Sequence, residues 1–144
     1  LILIIIVIFA PKLFSIVPMV VVSGSMEPSY MTGSLLYVKE SAGGIQTGDV
    51  ITFYRNGELV THRVVEINTD EKTYITKGDA NQVNDVQPVA WSDVVGVPVF
   101  DIPGLGYPAS FLGTAQGKLV FIVLLIIFTG ITVLTDKKME KTNG

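Results

Sequence analysis

Cysteine is absent from the 144 residues, histidine and tryptophan occur once each, and charged residues make up only 16% of the chain. Without cysteine the fold relies on no disulfide. Positive charge is also scarce in the centre, where residues 23–110 hold five Lys or Arg against eleven Asp or Glu, a balance of 5 − 11 = −6. Such a surface repels phosphate backbones, so nucleic acid is excluded as a partner. No internal repeat or low-complexity linker occurs, and neither a metal nor another cofactor is expected.

What the chain has in abundance is apolar surface. Hydrophobic residues make up 49% and the mean hydropathy is +0.53, more than an ordinary soluble domain of this length carries. They gather at the two ends, in "LILIIIVIFAPKLFSIVPMVVV" and "KLVFIVLLIIFTGITVLT". Leu119 to Leu134 runs sixteen residues without a charge. Extended by "FLGTAQG" before it, this approaches the ~20 residues that cross a bilayer core. A central domain of this size is too small to surround so uniformly apolar a helix.

Pro11, Lys12 and Pro18 interrupt the first run, and Leu1 stands where an initiator methionine is expected. We read Leu1 to Ala10 as the end of a truncated transmembrane helix that Pro11 stops, since proline has no amide donor to continue it. A cleavable signal sequence is the weaker reading, because no charged n-region precedes the run. The expected division is a membrane segment over 1–15, an extracytoplasmic domain over 16–110, a transmembrane helix over 117–135 and a cytoplasmic tail over 136–144. The orientation comes from Lys137, Lys138 and Lys141 just beyond the second span.

The central domain is expected to be mainly β. In "GDVITFYRNGELVTHRVVEI", two runs of β-branched and aromatic residues flank Asn56-Gly57, the strongest short-range hairpin signal. Alternation puts Val60, His62 and Val64 on one face and Leu59, Thr61, Arg63, Val65 and Ile67 on the other. Further strands are expected at Ser34 to Lys39, Thr73 to Lys77 and Val94 to Phe100. If the chain reverses through "NTDEK", positions 77 to 79 fall opposite His62 and bring Asp79 beside it. Asp85, six residues later, can curl back toward the same imidazole, although a one-residue slip changes the face.

The stretch "VVVSGSMEPSY" leaves the first apolar run through a serine-rich turn. A nucleophilic serine needs a base, donors for an oxyanion, and a backbone that exposes its hydroxyl. Ser25 after Gly24 meets the last need, and Ser23 offers a hydroxyl to the oxyanion alongside the Ser25 amide. A solvated loop explains "SGS" equally well when it is taken alone. The same holds for His62 as a satisfied imidazole and for the two aspartates as turn formers.

Taken in order, "SGSMEP", "GDVITF", "THRVV" and "KGDANQVND" resemble the boxes of type I signal peptidases. The resemblance covers most of residues 16–106, with Ala80 and Val86 standing where the family usually shows Asn and often a further Asp. It implies a compact β catalytic domain flanked by transmembrane helices, with Ser25 as nucleophile, Ser23 at the oxyanion hole, His62 as general base, and Asp79 and Asp85 as the two aspartates of the last box. Histidine rather than lysine before "RVV" places the resemblance on the Ser-His-Asp branch. The implied reaction is acyl transfer from a secretory preprotein to Ser25 and then to water, with Asp85 favoured as the partner of His62 and Asp79 in support. "FSIVPMVVV" is the candidate edge for an extended substrate, with Val20, Val21, Val22 and Met26 as binding residues. Two rivals stand beside this reading: a Ser-Lys hydrolase based on Lys77 or Lys39, and an inactive membrane-anchored domain that binds extended peptides.

Overall fold

In a computed structural model, residues 15–40 and 43–142 are described, so the first apolar run up to residue 14 lies outside the described residues. Two compact units emerge, Leu1–Tyr107 and Pro108–Gly144. The first contains a seven-stranded antiparallel sheet. Its strands are β1 (Ile16–Val20), β2 (Leu35–Glu40), β3 (Val50–Arg55), β4 (Glu58–Asn68), β5 (Thr73–Lys77), β6 (Val89–Ala90) and β7 (Val94–Ile102), in the spatial order β1-β2-β7-β3-β4-β5-β6.

The β3–β4 hairpin forms where the Asn-Gly pair demands it. Arg55 pairs with Glu58, and the two residues between them, Asn56 and Gly57, adopt φ of 53° and 83°, the left-handed values of a two-residue hairpin turn. Along β4, Val60 and Val64 point into a core of Ile51, Phe53, Val64, Tyr74 and Val89, and His62 lies on the same face, paired with Ile51. Thr61 and Arg63 take the opposite face, where the Thr61 and Thr52 hydroxyls meet at 2.8 Å.

Simple alternation fails further along. Val64 pairs with Thr76 and Glu66 with Ile75, so Val65 is an extra residue in the ladder. This bulge turns Ile67 onto the core face, against the expectation that it would share a face with Arg63. Two similar shifts interrupt β7, one against β2 and one against β3. The resulting bend lets the interior cover both faces of the central strands. Leu35 to Val38 and Val50 to Phe53 are consecutively buried.

β1 is an edge strand, paired among the described residues with β2 alone. The Ser15 carbonyl accepts from the Glu40 amide at 2.9 Å, and the Val21 amide donates to the Ser34 carbonyl at 3.0 Å. Odd-numbered residues therefore turn their backbone groups toward β2, and Ile16, Pro18 and Val20 turn theirs toward the open edge. Proline at that position removes no ladder bond.

The second unit is helical, with the end of α1 (Gly106–Gly113) followed by α2 (Ala115–Thr142). Thr114 starts α2, its hydroxyl accepting from the Gly117 amide at 3.0 Å as an N-cap does. Ala115–Thr135 has a mean hydropathy of 2.5, and only 6% of its apolar window is buried. Its 21 residues measure about 31 Å, the thickness of a bilayer core. The Thr129, Thr132 and Thr135 hydroxyls all donate to carbonyls within the helix, so none requires water.

The crossing of β2 and β7 supplies a stability test. A Cβ on Gly96 would stand 2.1 Å from the Lys39 carbonyl oxygen, which is backbone and cannot swing aside. Gly96→Ala should destabilise the sheet unit by about 1–3 kcal/mol. Gly130→Ala, with open space around it, should leave the same unit unchanged. Thermal melts of the full chain in detergent micelles, followed by tryptophan fluorescence, check both.

Candidate active site

Ser25 lies in a single 3-10 turn, Gly24–Met26, that follows directly from the apolar edge strand. Met26, only 2% exposed, anchors this turn in the interior. Its side chain packs into the interior beside the turn that carries Ser25. A Cβ on Gly24 would meet the Glu27 carboxyl group at 3.3 Å. Glu27 accepts from the Thr32 amide at 3.1 Å and the Thr32 hydroxyl at 2.8 Å, closing the loop behind the turn. Those bonds hold its carboxyl below the usual range.

The Ser25 backbone is held from the other side. Its carbonyl accepts from the Ala80 amide at 2.9 Å, and a Cβ on Gly78 would approach that carbonyl to 2.5 Å. Glycine is needed there because the "KGDAN" loop runs against the serine turn without intervening side chains. With the carbonyl fixed, the hydroxyl faces the imidazole. Ser25 Oγ is 3.1 Å from His62 Nε2, and Ser23 Oγ is 3.4 Å from Ser25 Oγ.

His62 is 7% exposed and stands edge-on to the buried Phe53 ring, 6.4 Å between centroids. Its Nδ1 lies 2.6 Å from Asp85 Oδ2. An ionised carboxylate only accepts, so Nδ1 carries the hydrogen and the neutral ring presents a lone pair at Nε2. Ser25 Oγ–H is consequently the donor to His62. The same Asp85 oxygen accepts from Thr76 Oγ1 at 2.7 Å and pairs with an Arg55 nitrogen at 3.1 Å. Burial pushes the Asp85 carboxyl up, but the bonds from His62, Thr76 and Arg55 outweigh it and hold the group below its ordinary value.

Asp79 takes a different place from the one expected by counting residues. Lys77 pairs with Arg63 rather than with His62, and Asp79 follows on the Arg63 side of β4. Its carboxylate accepts from Arg63 Nε at 2.8 Å and from a terminal Arg63 nitrogen at 2.6 Å, in a fork, and from Ser29 Oγ at 2.5 Å. Alternation along β4 therefore assigns one aspartate to each of two adjacent residues, Asp85 to His62 and Asp79 to Arg63. Asp79 staples the segment after the serine turn to the sheet. Arg55, on which Asp85 also leans, was not singled out from the sequence; its place at the end of β3 becomes meaningful only once the loop has returned Asp85 to it.

The Arg63 fork lowers the Asp79 pKa, opposed by burial and assisted by Ser29. A lowered carboxylate stabilises the fold above its unfolded pKa of about 3.9, and that contribution is lost as pH falls through the lower folded value. Asp79→Asn should thus cost about 1–3 kcal/mol near neutrality. The gap between parent and variant should close below about pH 4 in melts recorded across an acid series.

Known proteins resemble this chain over more than half of its length. Residues 1–86 match the family described as signal peptidase, peptidase S26. The chain is 44% identical over 89 residues to signal peptidase I W of Bacillus subtilis, covering 58% of this chain and 47% of that protein. It is 35% identical over 101 residues to the signal peptidase complex catalytic subunit sec11 of Pyrenophora tritici-repentis, covering 61% and 58% respectively. The SEC11 subunit of Clavispora lusitaniae is 29% identical over 127 residues, which cover 80% of this chain and 75% of that protein. The chain thus spans roughly half the length of the first two relatives. With serine, histidine and aspartate meeting in one hydrogen-bonded line and more than half of the chain matched, this protein belongs to the type I signal peptidases, family S26, on the Ser-His-Asp branch.

Proposed function

We propose that this chain is a membrane-anchored serine endopeptidase that removes signal peptides from secreted preproteins, acting on the extracytoplasmic side. The observation that carries the reading is the line Ser25 Oγ, His62 Nε2, His62 Nδ1, Asp85 Oδ2, with separations of 3.1 Å and 2.6 Å at its two hydrogen bonds.

In the proposed reaction Ser25 Oγ attacks the scissile carbonyl as its proton passes to His62 Nε2. Asp85 stabilises the imidazolium that forms. The tetrahedral oxyanion takes hydrogen bonds from the Ser25 amide and the Ser23 hydroxyl, whose rotor is free to turn from Ser25 toward it. Collapse breaks the C–N bond, and the imidazolium gives its proton to the departing amine. Water, deprotonated by His62, then attacks the acyl-serine, and the returned proton restores Ser25 as the carboxylate product leaves.

The substrate is proposed to lie along the free edge of β1 as an added strand. That edge runs straight into the serine turn, and Val22 beyond it is 82% exposed. Val20 offers both backbone groups outward, whereas Pro18 offers only a carbonyl, so pairing is strongest next to Ser25. Val20, Val21 and Val22 are the residues proposed to meet the substrate.

The Ser-Lys alternative is less well supported, because Lys77 lies opposite Arg63 and it is the imidazole that reaches Ser25. An inactive peptide-binding domain would have no need of a hydrogen-bonded Ser-His-Asp line beside the edge. Two relatives are named as catalytic subunits of a signal peptidase complex, and the proposal extends to partner subunits for this chain.

Ser25→Ala should reduce cleavage of a labelled preprotein by the reconstituted chain at least about a thousandfold while its melting profile stays that of the parent. Asp85→Asn should lose about a hundredfold or more, and Asp79→Asn far less, in step with its stability. Turnover by Ser25→Ala at the parent rate, or a larger loss in Asp79→Asn than in Asp85→Asn, contradicts the proposed roles.

The basic tail, Lys137, Lys138 and Lys141, supports a cytoplasmic C-terminus. One crossing by Ala115–Thr135 then sets the sheet unit on the other side. Protease added outside cells with a permeable envelope should digest the sheet unit and spare an epitope placed after Gly144. Loss of the epitope under those conditions reverses the orientation.

A further inference from the structure

Arg55 has no part in the reaction as written, yet it is built into the site from three directions. One terminal nitrogen lies 3.1 Å from Asp85 Oδ2, the other donates to the Gln87 carbonyl at 2.9 Å, and the guanidinium carbon sits 4.9 Å from the centroid of the Phe53 ring. Phe53 is fully buried and in turn flanks His62. The Arg55 side chain is 22% exposed, so its charge acts through protein more than through solvent. An arginine gripped at both ends and stacked on a ring does not drift away from its carboxylate.

We propose that Arg55 is a positioning residue of this site: it fixes the Asp85 carboxylate against His62 Nδ1 and limits how readily the imidazole takes up a proton from solvent. The argument is electrostatic. Asp85 Oδ2 is shared by His62, Thr76 and Arg55, and a carboxylate already neutralised by a guanidinium stabilises an imidazolium less than a bare one does. Without Arg55 the full negative charge would face the ring, which would hold its proton to higher pH and act as a base over a narrower range.

The other charged groups near His62 do not substitute for it. On β4 and the loop after β5, Arg63 and Asp79 pair with each other, and Lys77 on β5 stands at the register of Arg63. Ser25, from the 3-10 turn, and Phe53, from β3, bring no charge. Among the described residues, Arg55 is therefore the cation that bears on the Asp85–His62 pair.

The catalytic meaning rests on the acyl-transfer reading above, but the electrostatic claim is testable without turnover. His62 is the single histidine, so its ring proton resonances in the full chain in detergent are unambiguous. In a Ser25→Ala background, Arg55→Gln should raise the midpoint of the imidazole titration by about half a pH unit, and Arg55→Lys should restore most of the parent value. In the active chain, the acid limb of kcat/KM should move upward with Arg55→Gln by the same amount, so that the loss is about threefold on the acid side and slight above it. An unmoved or lowered midpoint in Arg55→Gln, with Arg55→Lys folded and titrating as the parent does, overturns the proposal. So does a loss of activity that is equal at every pH. If no variant turns over substrate, the proton titration still decides the role of Arg55, and only the proposed function fails.

Discussion

One carboxylate oxygen, Asp85 Oδ2, joins three strands. It accepts from His62 on β4 and Thr76 on β5 and pairs with Arg55 on β3, while the Asp85 amide donates to the Thr76 carbonyl at 2.8 Å. An almost buried carboxylate with no partners would abandon its charge. With three donors around it the charge is kept, and that retained charge sets the tautomer of His62. The lone pair at Nε2, and therefore the hydrogen bond from Ser25, follows from the way the loop after β5 closes on the sheet.

That same loop carries the second constraint. Gly78 and Ala80 press against the Ser25 carbonyl while Asp79 reaches across to Arg63 and Ser29. Eight residues, Gly78 to Asp85, thus bring a carboxylate to His62 and hold the Ser25 turn beside both. The two aspartates divide this work by the simplest rule of a strand, that neighbours point to opposite faces. His62 and Arg63 are adjacent, so the carboxylates that serve them must approach from different sides.

Much of the architecture was legible in the residues. Asn56-Gly57 forced the hairpin, and the valines flanking His62 named its face, because both signals are local. Bounds of β5 came out as expected and those of β2 and β7 within one or two residues, since turn-forming clusters delimit them. The failures are long-range. Nothing local marks Val65 as a bulge, so Ile67 was put on the wrong face, and Asp79 was set beside His62 by a count that the true register shifts by one. β6, two residues long, is too short to leave a pattern. Glu27 and Arg55 act through partners 5 and 30 residues away that no periodicity reveals.

The proposed choice of base rests on the same electrostatics. A lysine ammonium starts near pKa 10.4 and must be driven down by more than three units to be neutral at physiological pH, which desolvation achieves only where no carboxylate is at hand. Here a carboxylate lies 2.6 Å from the group that would receive the proton. It would hold a lysine firmly in the charged form. An imidazole begins close to neutrality and tolerates, indeed uses, that neighbour: in the proposed reaction Asp85 would orient the ring before attack and balance its charge afterwards. The histidine before "RVV" and the aspartate that closes the loop are thus a matched pair, and a lysine in place of His62 alone would be held charged beside Asp85.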